Sequence, residues 1–111
     1  MDKEKLLKKI DSFKDELIFT RRHIHAHPEL SGLENQTAIL ISGFLKNIGW
    51  RVEESVGKTG IVADFGPKDK GFIGLRVDMD ALPIYENTNL SFSSKIDGVM
   101  HACGHDLHIC I

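Results

Sequence analysis

A chain of 111 residues, 41% hydrophobic and 27% charged, with ten glycines and three prolines, has the composition of an ordinary folded domain and not of a disordered one. A formal net charge of −2, without any basic patch interleaved with aromatics, argues against a nucleic-acid or anionic-membrane partner. No stretch approaches the roughly 20 apolar residues of a membrane helix, and the opening MDKEKLLKKIDSFKDEL scatters charge among its leucines where a signal peptide carries a continuous apolar run, so a cytoplasmic protein is expected.

The first predicted element is an amphipathic helix. Leu6, Ile10, Phe13 and Leu17 recur at helical spacing with lysines and aspartates between them, which suits a helix packed on a sheet. It should end near His27-Pro28, because the residue before a proline avoids helical dihedrals. A second helix is expected from about Asn35 to Ile48, with Ile39, Leu40, Phe44 and Ile48 as its apolar stripe and Gly49 as a left-handed stop. Trp50 to Glu54 alternates apolar and polar residues as a half-buried strand does.

Gly60 to Phe65 and Phe72 to Val77 are two further strand-like runs separated by the turn GPKDKG, and they are expected to pair in one sheet. From Asp80 to Gly104 no period is sustained, and Pro83, Asn87, Asn89 and several serines mark a loop, with a short edge strand at Ser91 to Ser93. A loop of that length in a small domain is usually functional. No internal repeat and no linker divides the chain.

Three stretches could carry chemistry. In His101-Ala102-Cys103-Gly104-His105-Asp106-Leu107-His108, thiolate and imidazole are the ligands that zinc and neighbouring transition metals prefer, and Cys103 and His105 can project to one side of an extended loop. Asp106 falls where a helix could begin, able to cap it or to hold the other nitrogen of a ligand histidine. The spacing does not close a four-ligand set, and it equally suits a buried thiol among solvent-facing histidines. Cys103 and Cys110, in a chain without an export signal, suit metal binding, catalysis or burial better than a disulfide.

In RVDMDALP, Asp78 and Asp80 lie at the carboxyl end of an expected strand, one residue apart and hence on the same side. Such a pair can hold a metal or orient a ligand histidine, and it is also a common turn signal. In RRHIHAHPEL, His23, His25 and His27 alternate; on a helix alternate residues point to different faces, so surface and helix-end histidines are expected there.

Taken in order, RRHIHAHPELSGLENQT, GKTGIVADFG, LRVDMDALPIYE and GVMHACGHDLH resemble the amino-terminal part of the M20 metallopeptidase family, in its amidohydrolase branch of hippurate hydrolases, N-acyl-amino-acid amidohydrolases and auxin-conjugate hydrolases. The resemblance runs from about Arg21 to His108. It implies an α/β fold, the incomplete amino-terminal part of a zinc-peptidase-like catalytic domain, with two helices followed by a mixed sheet. Residues 1–111 would then be one portion of that domain, and the lid and dimerisation domain would lie outside them.

Residue by residue, the resemblance makes Cys103 and His105 metal ligands and Asp80 the catalytic-site aspartate that supports a ligand histidine. Asp78 stands where the peptidase branch has that histidine, and Asp78, His101, Asp106 and His108 line the site or support its ligands. Two divalent ions per site are implied, drawn from zinc, manganese, cobalt and nickel, with a small N-acyl amino acid as substrate and a homodimer as the full-length form. The general base, a glutamate, would come from beyond this chain, so the 111 residues alone are expected to be inactive.

Overall fold

Asp2 begins the first helix by accepting a hydrogen bond from the Glu4 amide (3.1 Å), the usual way of satisfying a free N–H at a helix start. In the computed structural model, which describes residues 2–111, the expected single helix is two: α1 (Lys3–Ser12) and α2 (Lys14–Ala26), with Phe13 between them. The Ser12 hydroxyl donates to the Lys9 carbonyl (2.6 Å), a local bond that competes with helix continuation. Helix α2 stops at His27 (φ −127°, ψ 58°), as the following proline requires.

Helix α3 (Asn35–Asn47) is started from a distance. The Glu29 carboxylate accepts from the amides of Gln36 (3.0 Å) and Thr37 (2.8 Å) and from the Thr37 hydroxyl (2.8 Å). It ends as the sequence suggests: Gly49 takes φ +88°, and the Trp50 amide returns to the Leu45 carbonyl (3.0 Å). Its apolar stripe, however, is not covered. Ile39, Leu40, Phe44 and Ile48 are exposed while Thr37 and Ser42 are buried. The helix meets the sheet through polar groups, with Ser42 and Lys46 both donating to Glu54.

Strands β1 (Arg51–Val56) and β2 (Gly60–Asp64) form an antiparallel pair in the register Arg51 to Asp64, Val52 to Ala63 and Glu53 to Val62, with an irregularity between Glu53 and Val56. Helix α3 lies against both strands, whereas α2 lies against the short helix α4 (His105–His108), so the expected packing of the first helix on a sheet is found for α3 instead. The expected strand Phe72 to Val77 does not pair with β2, whose ladder is with β1. Its apolar residues stand in solvent, Ile73 at 95% and Leu75 at 91% exposure. The expected edge strand at Ser91 to Ser93 is a tight turn, because Asn89 adopts a left-handed φ of 55° and the Ser93 amide and hydroxyl both return to the Leu90 carbonyl.

Among the described residues, mixed strand direction appears only in two isolated bridges, Leu30 with Ala81 in parallel and Leu82 with Met100 in antiparallel sense. The architecture is α/β, helices first, with a two-stranded sheet. The apolar core is small, centred on Ile24, Ala26 and Ala81. The radius of gyration is 15.6 Å, against about 13 Å for a compact chain of this length. The surface area of 8390 Å² exceeds the roughly 6,100 Å² of a compact protein of this mass. These 111 residues therefore leave large apolar faces open. Among the described residues no helix is long and apolar enough to cross a membrane.

Candidate metal centre

The two isolated bridges position the site. The Ala81 amide donates to the Glu29 carbonyl (2.8 Å), and Leu82 and Met100 exchange two bonds of 2.9 Å, so Asp80 and His101 lie immediately outside a small clamp of three segments. Gly104, at φ +78°, turns the chain between Cys103 and His105, a conformation that a residue with a β-carbon adopts only under strain. Helix α4 begins at His105.

That turn brings His105 onto Asp80. His105 Nδ1 lies 2.8 Å from the Asp80 carbonyl oxygen and 3.1 Å from its Oδ1. With the δ nitrogen donating, Nε2 is left as the ligating atom, which is how carboxylates commonly orient metal-bound histidines. Cys103 is exposed and forms no disulfide among the described residues. A thiol and an oriented imidazole two residues apart suit a divalent transition metal, and they supply two of the ligands such an ion needs. Among the described residues no group of three or more histidines, cysteines or carboxylates is placed to hold an ion. The pair fits part of a metal centre.

The other sequence candidates separate. Asp78 is not brought beside Asp80 on a strand; it is exposed and pairs with Arg76 Nη2 at 3.0 Å. His108 is exposed on α4. His101 is buried, 4% exposed, and neither of its ring nitrogens has a hydrogen-bond partner among the described residues. Burial holds its pKa below the usual histidine value, reinforced by His25 and His105 and opposed by Asp106 and Asp80. Cys110 is not a second metal-facing thiol: it donates to the Asp106 carbonyl (3.3 Å), and burial pushes its pKa up, with Asp106 adding to the effect.

Asp106 neither caps α4 nor holds His105. Its carboxylate, 1% exposed, reaches back to α2, where Oδ2 accepts from Arg21 Nε (2.8 Å) and lies 2.8 Å from His25 Nδ1. His25, expected at the surface, is 3% exposed, and its Nε2 lies 3.1 Å from Glu86 Oε1. Glu86 also accepts from the Ser94 amide (2.6 Å) and the Thr88 hydroxyl. Burial works to raise the Glu86 pKa, but the bonds from Thr88, Ser94 and His25 prevail and hold it at about 2. Phe92 packs edge-on to His25, centroids 5.5 Å apart, and lies under the Arg21 guanidinium at 5.3 Å. Arg21 and Glu86 were not singled out by sequence reasoning, and His25 was expected only as a surface or helix-end histidine. The available signal was that Arg21 and His25 lie four apart, on one helical face, beside the apolar position Ile24.

The sequence pattern of peptidase family M20/M25/M40 matches residues 74–111, which include both candidate ligands. A Bacillus subtilis protein, YxeP, described as a dinuclear metal binding peptidase from the M20 family, superposes with a TM-score of 0.82 at 44% identity, covering 90% of this chain and 28% of that one. Over residues 74–111 the chain carries the sequence pattern of the M20 peptidase family, and its fold is like that of an M20 member. Thermostable carboxypeptidase 1 of Saccharolobus solfataricus is 47% identical over 97% of this chain and 28% of its own length. A hippurate hydrolase of Campylobacter jejuni is 53% identical over 79% of this chain and 23% of its own length. The chain thus spans about a quarter of the length of these relatives.

Proposed function

We propose that residues 1–111 form the amino-terminal portion of the catalytic domain of a metal-dependent hydrolase that cleaves the amide bond of N-acyl amino acids. The observation that carries this reading is the contact of His105 Nδ1 with Asp80, which leaves Nε2 free two residues along the chain from the exposed Cys103 thiol. The hippurate hydrolase relative supports the substrate class, since hippurate is an N-acylated glycine. The dinuclear neighbour supports two divalent ions.

In this reading Cys103 and His105 are ligands, Asp80 is the residue that orients His105, and His101 lines the site. Bound divalent metal supplies an acidified water and polarises the scissile carbonyl. The chain's own part is to hold two ligands at a fixed spacing; the remaining ligands and the carboxylate base come from outside residues 1–111. The bare faces of α3 and of residues 72–77 suit coverage by the rest of that domain. Alone, the 111 residues lack a base positioned for water attack and would not turn over substrate.

The test is release of free amino acid from hippurate and related N-acyl amino acids by the whole protein, with and without chelator. Chelation should abolish activity. Cys103→Ala should lower it by more than the roughly 10- to 100-fold typical of losing a group that merely orients a ligand. A Cys103→Ala enzyme with unchanged rate and metal content would refute the assignment.

A further inference from the structure

Helix α4 is one turn long and has no side-chain cap, so it cannot hold its own orientation. What fixes it is Asp106, adjacent to His105 and three residues from Cys103. That carboxylate is tied to α2 by Arg21 and His25, across sequence separations of 85 and 81 residues. His25 is tied in turn to Glu86, 61 residues away, and Phe92 closes over the ring. The 86–95 loop is itself fastened to the end of α2 by the Lys95 amide on the Ala26 carbonyl (2.9 Å).

A buried carboxylate held by two cationic or ionisable groups is an expensive way to fill space, since an apolar side chain of similar volume often serves stability as well or better. What the carboxylate provides and an apolar residue does not is direction. Two bonds converging on one oxygen, Oδ2, fix the rotation of the turn about its own axis, and the Cys103 and His105 side chains rotate with it.

We infer that Arg21, His25 and Glu86 are positioning residues which, through Asp106, set the orientation of the Cys-Gly-His-Asp turn and thereby its affinity for a divalent metal. The inference rests on the reading of Cys103 and His105 as ligands. Asp80 orients one ligand ring; the Arg21–Asp106–His25–Glu86 chain orients the backbone that carries both ligands.

Cobalt(II) binding to the whole protein separates the two ideas. Sulfur-to-cobalt absorption in the near ultraviolet reports Cys103 as a ligand, the visible bands report the geometry, and titration gives affinity. Arg21→Gln and His25→Gln should each weaken binding by about 10- to 100-fold, keep the sulfur band at saturation and shift the visible bands. The double variant should lose little more than the worse single one, as members of one unit do. Folded variants with native affinity and unshifted bands would overturn the inference. Circular dichroism checks the fold, and if His25→Gln does not fold, Arg21→Gln, whose side chain is 34% exposed, decides by the same two readouts. A Cys103→Ala protein that keeps the sulfur band would instead refute the ligand assignment, whatever Arg21 and His25 do.

Discussion

Two regions of this chain solve opposite problems. Around His25 and Asp106, polar groups from α2, the 86–95 loop and α4 are buried and close almost entirely on one another. Along α3 and residues 72–77, apolar side chains are lined up and little among the described residues covers them. The contrast shows that specific polar pairing can form within a segment whose hydrophobic burial is incomplete, even with His101 and Asp106 Oδ1 left without partners among the described residues. A hydrogen-bonded carboxylate needs only two or three partners at fixed positions, whereas an apolar face needs an opposing layer.

The sharpest way to break the comparison is to unpair the buried charge. Asp106→Ala should cost about 3–5 kcal/mol, because Arg21 and His25 are left facing a buried gap. Amide exchange across α2 and α4 should show that loss as local opening, while β1 and β2 stay protected. Equal loss of protection in the sheet would mean that the two regions are not separable.

Acid should act on the same region. The Glu86 pKa is held at about 2, below its ordinary 4.5, by Thr88, Ser94 and His25 acting against burial. A group with a depressed folded pKa contributes stability fully above the unfolded value and loses it as pH falls through the folded one. The melting temperature should therefore drop between about pH 4.5 and pH 2 in the native protein, and less steeply in Glu86→Gln. Parallel curves would remove Glu86 from the account.

The smallest effect belongs to the bare region. Ile73→Ser and Leu75→Ser in the 111-residue chain remove groups that touch little, so stability should change by no more than about 0.5 kcal/mol. Solubility should rise, because an exposed apolar run with free strand edges invites association. Light scattering at matched concentrations checks this, and unchanged aggregation would show that another face is responsible.

Much of the fold was legible because its signals are local. The apolar spacing and Gly49 define α3 to within a residue, and Pro28 stops α2. At the break before Phe13 the Ser12 hydroxyl donates to a backbone carbonyl, a local choice that periodicity does not register. Residues 72–77 have the composition of a strand, but a strand is defined by its neighbour, and composition names none. At the candidate site, Cys103, His105 and Asp80 could be put forward from the sequence because ligand chemistry is written in residue type. His25 was misread as a surface histidine because its burial comes from Asp106 and Glu86, 81 and 61 residues further along the chain. The spacing that would set Asp78 beside Asp80 requires a strand, and residues 72–80 do not form one.

The central claim, that Cys103 and an Asp80-oriented His105 ligate one divalent ion, is tested most directly by X-ray absorption of the zinc-loaded whole protein beside its Cys103→Ala variant. The account expects one sulfur at about 2.3 Å with nitrogen or oxygen neighbours at about 2.0–2.1 Å, and loss of the sulfur shell alone in the variant. A native spectrum without sulfur, or a variant spectrum identical to it, would contradict the account.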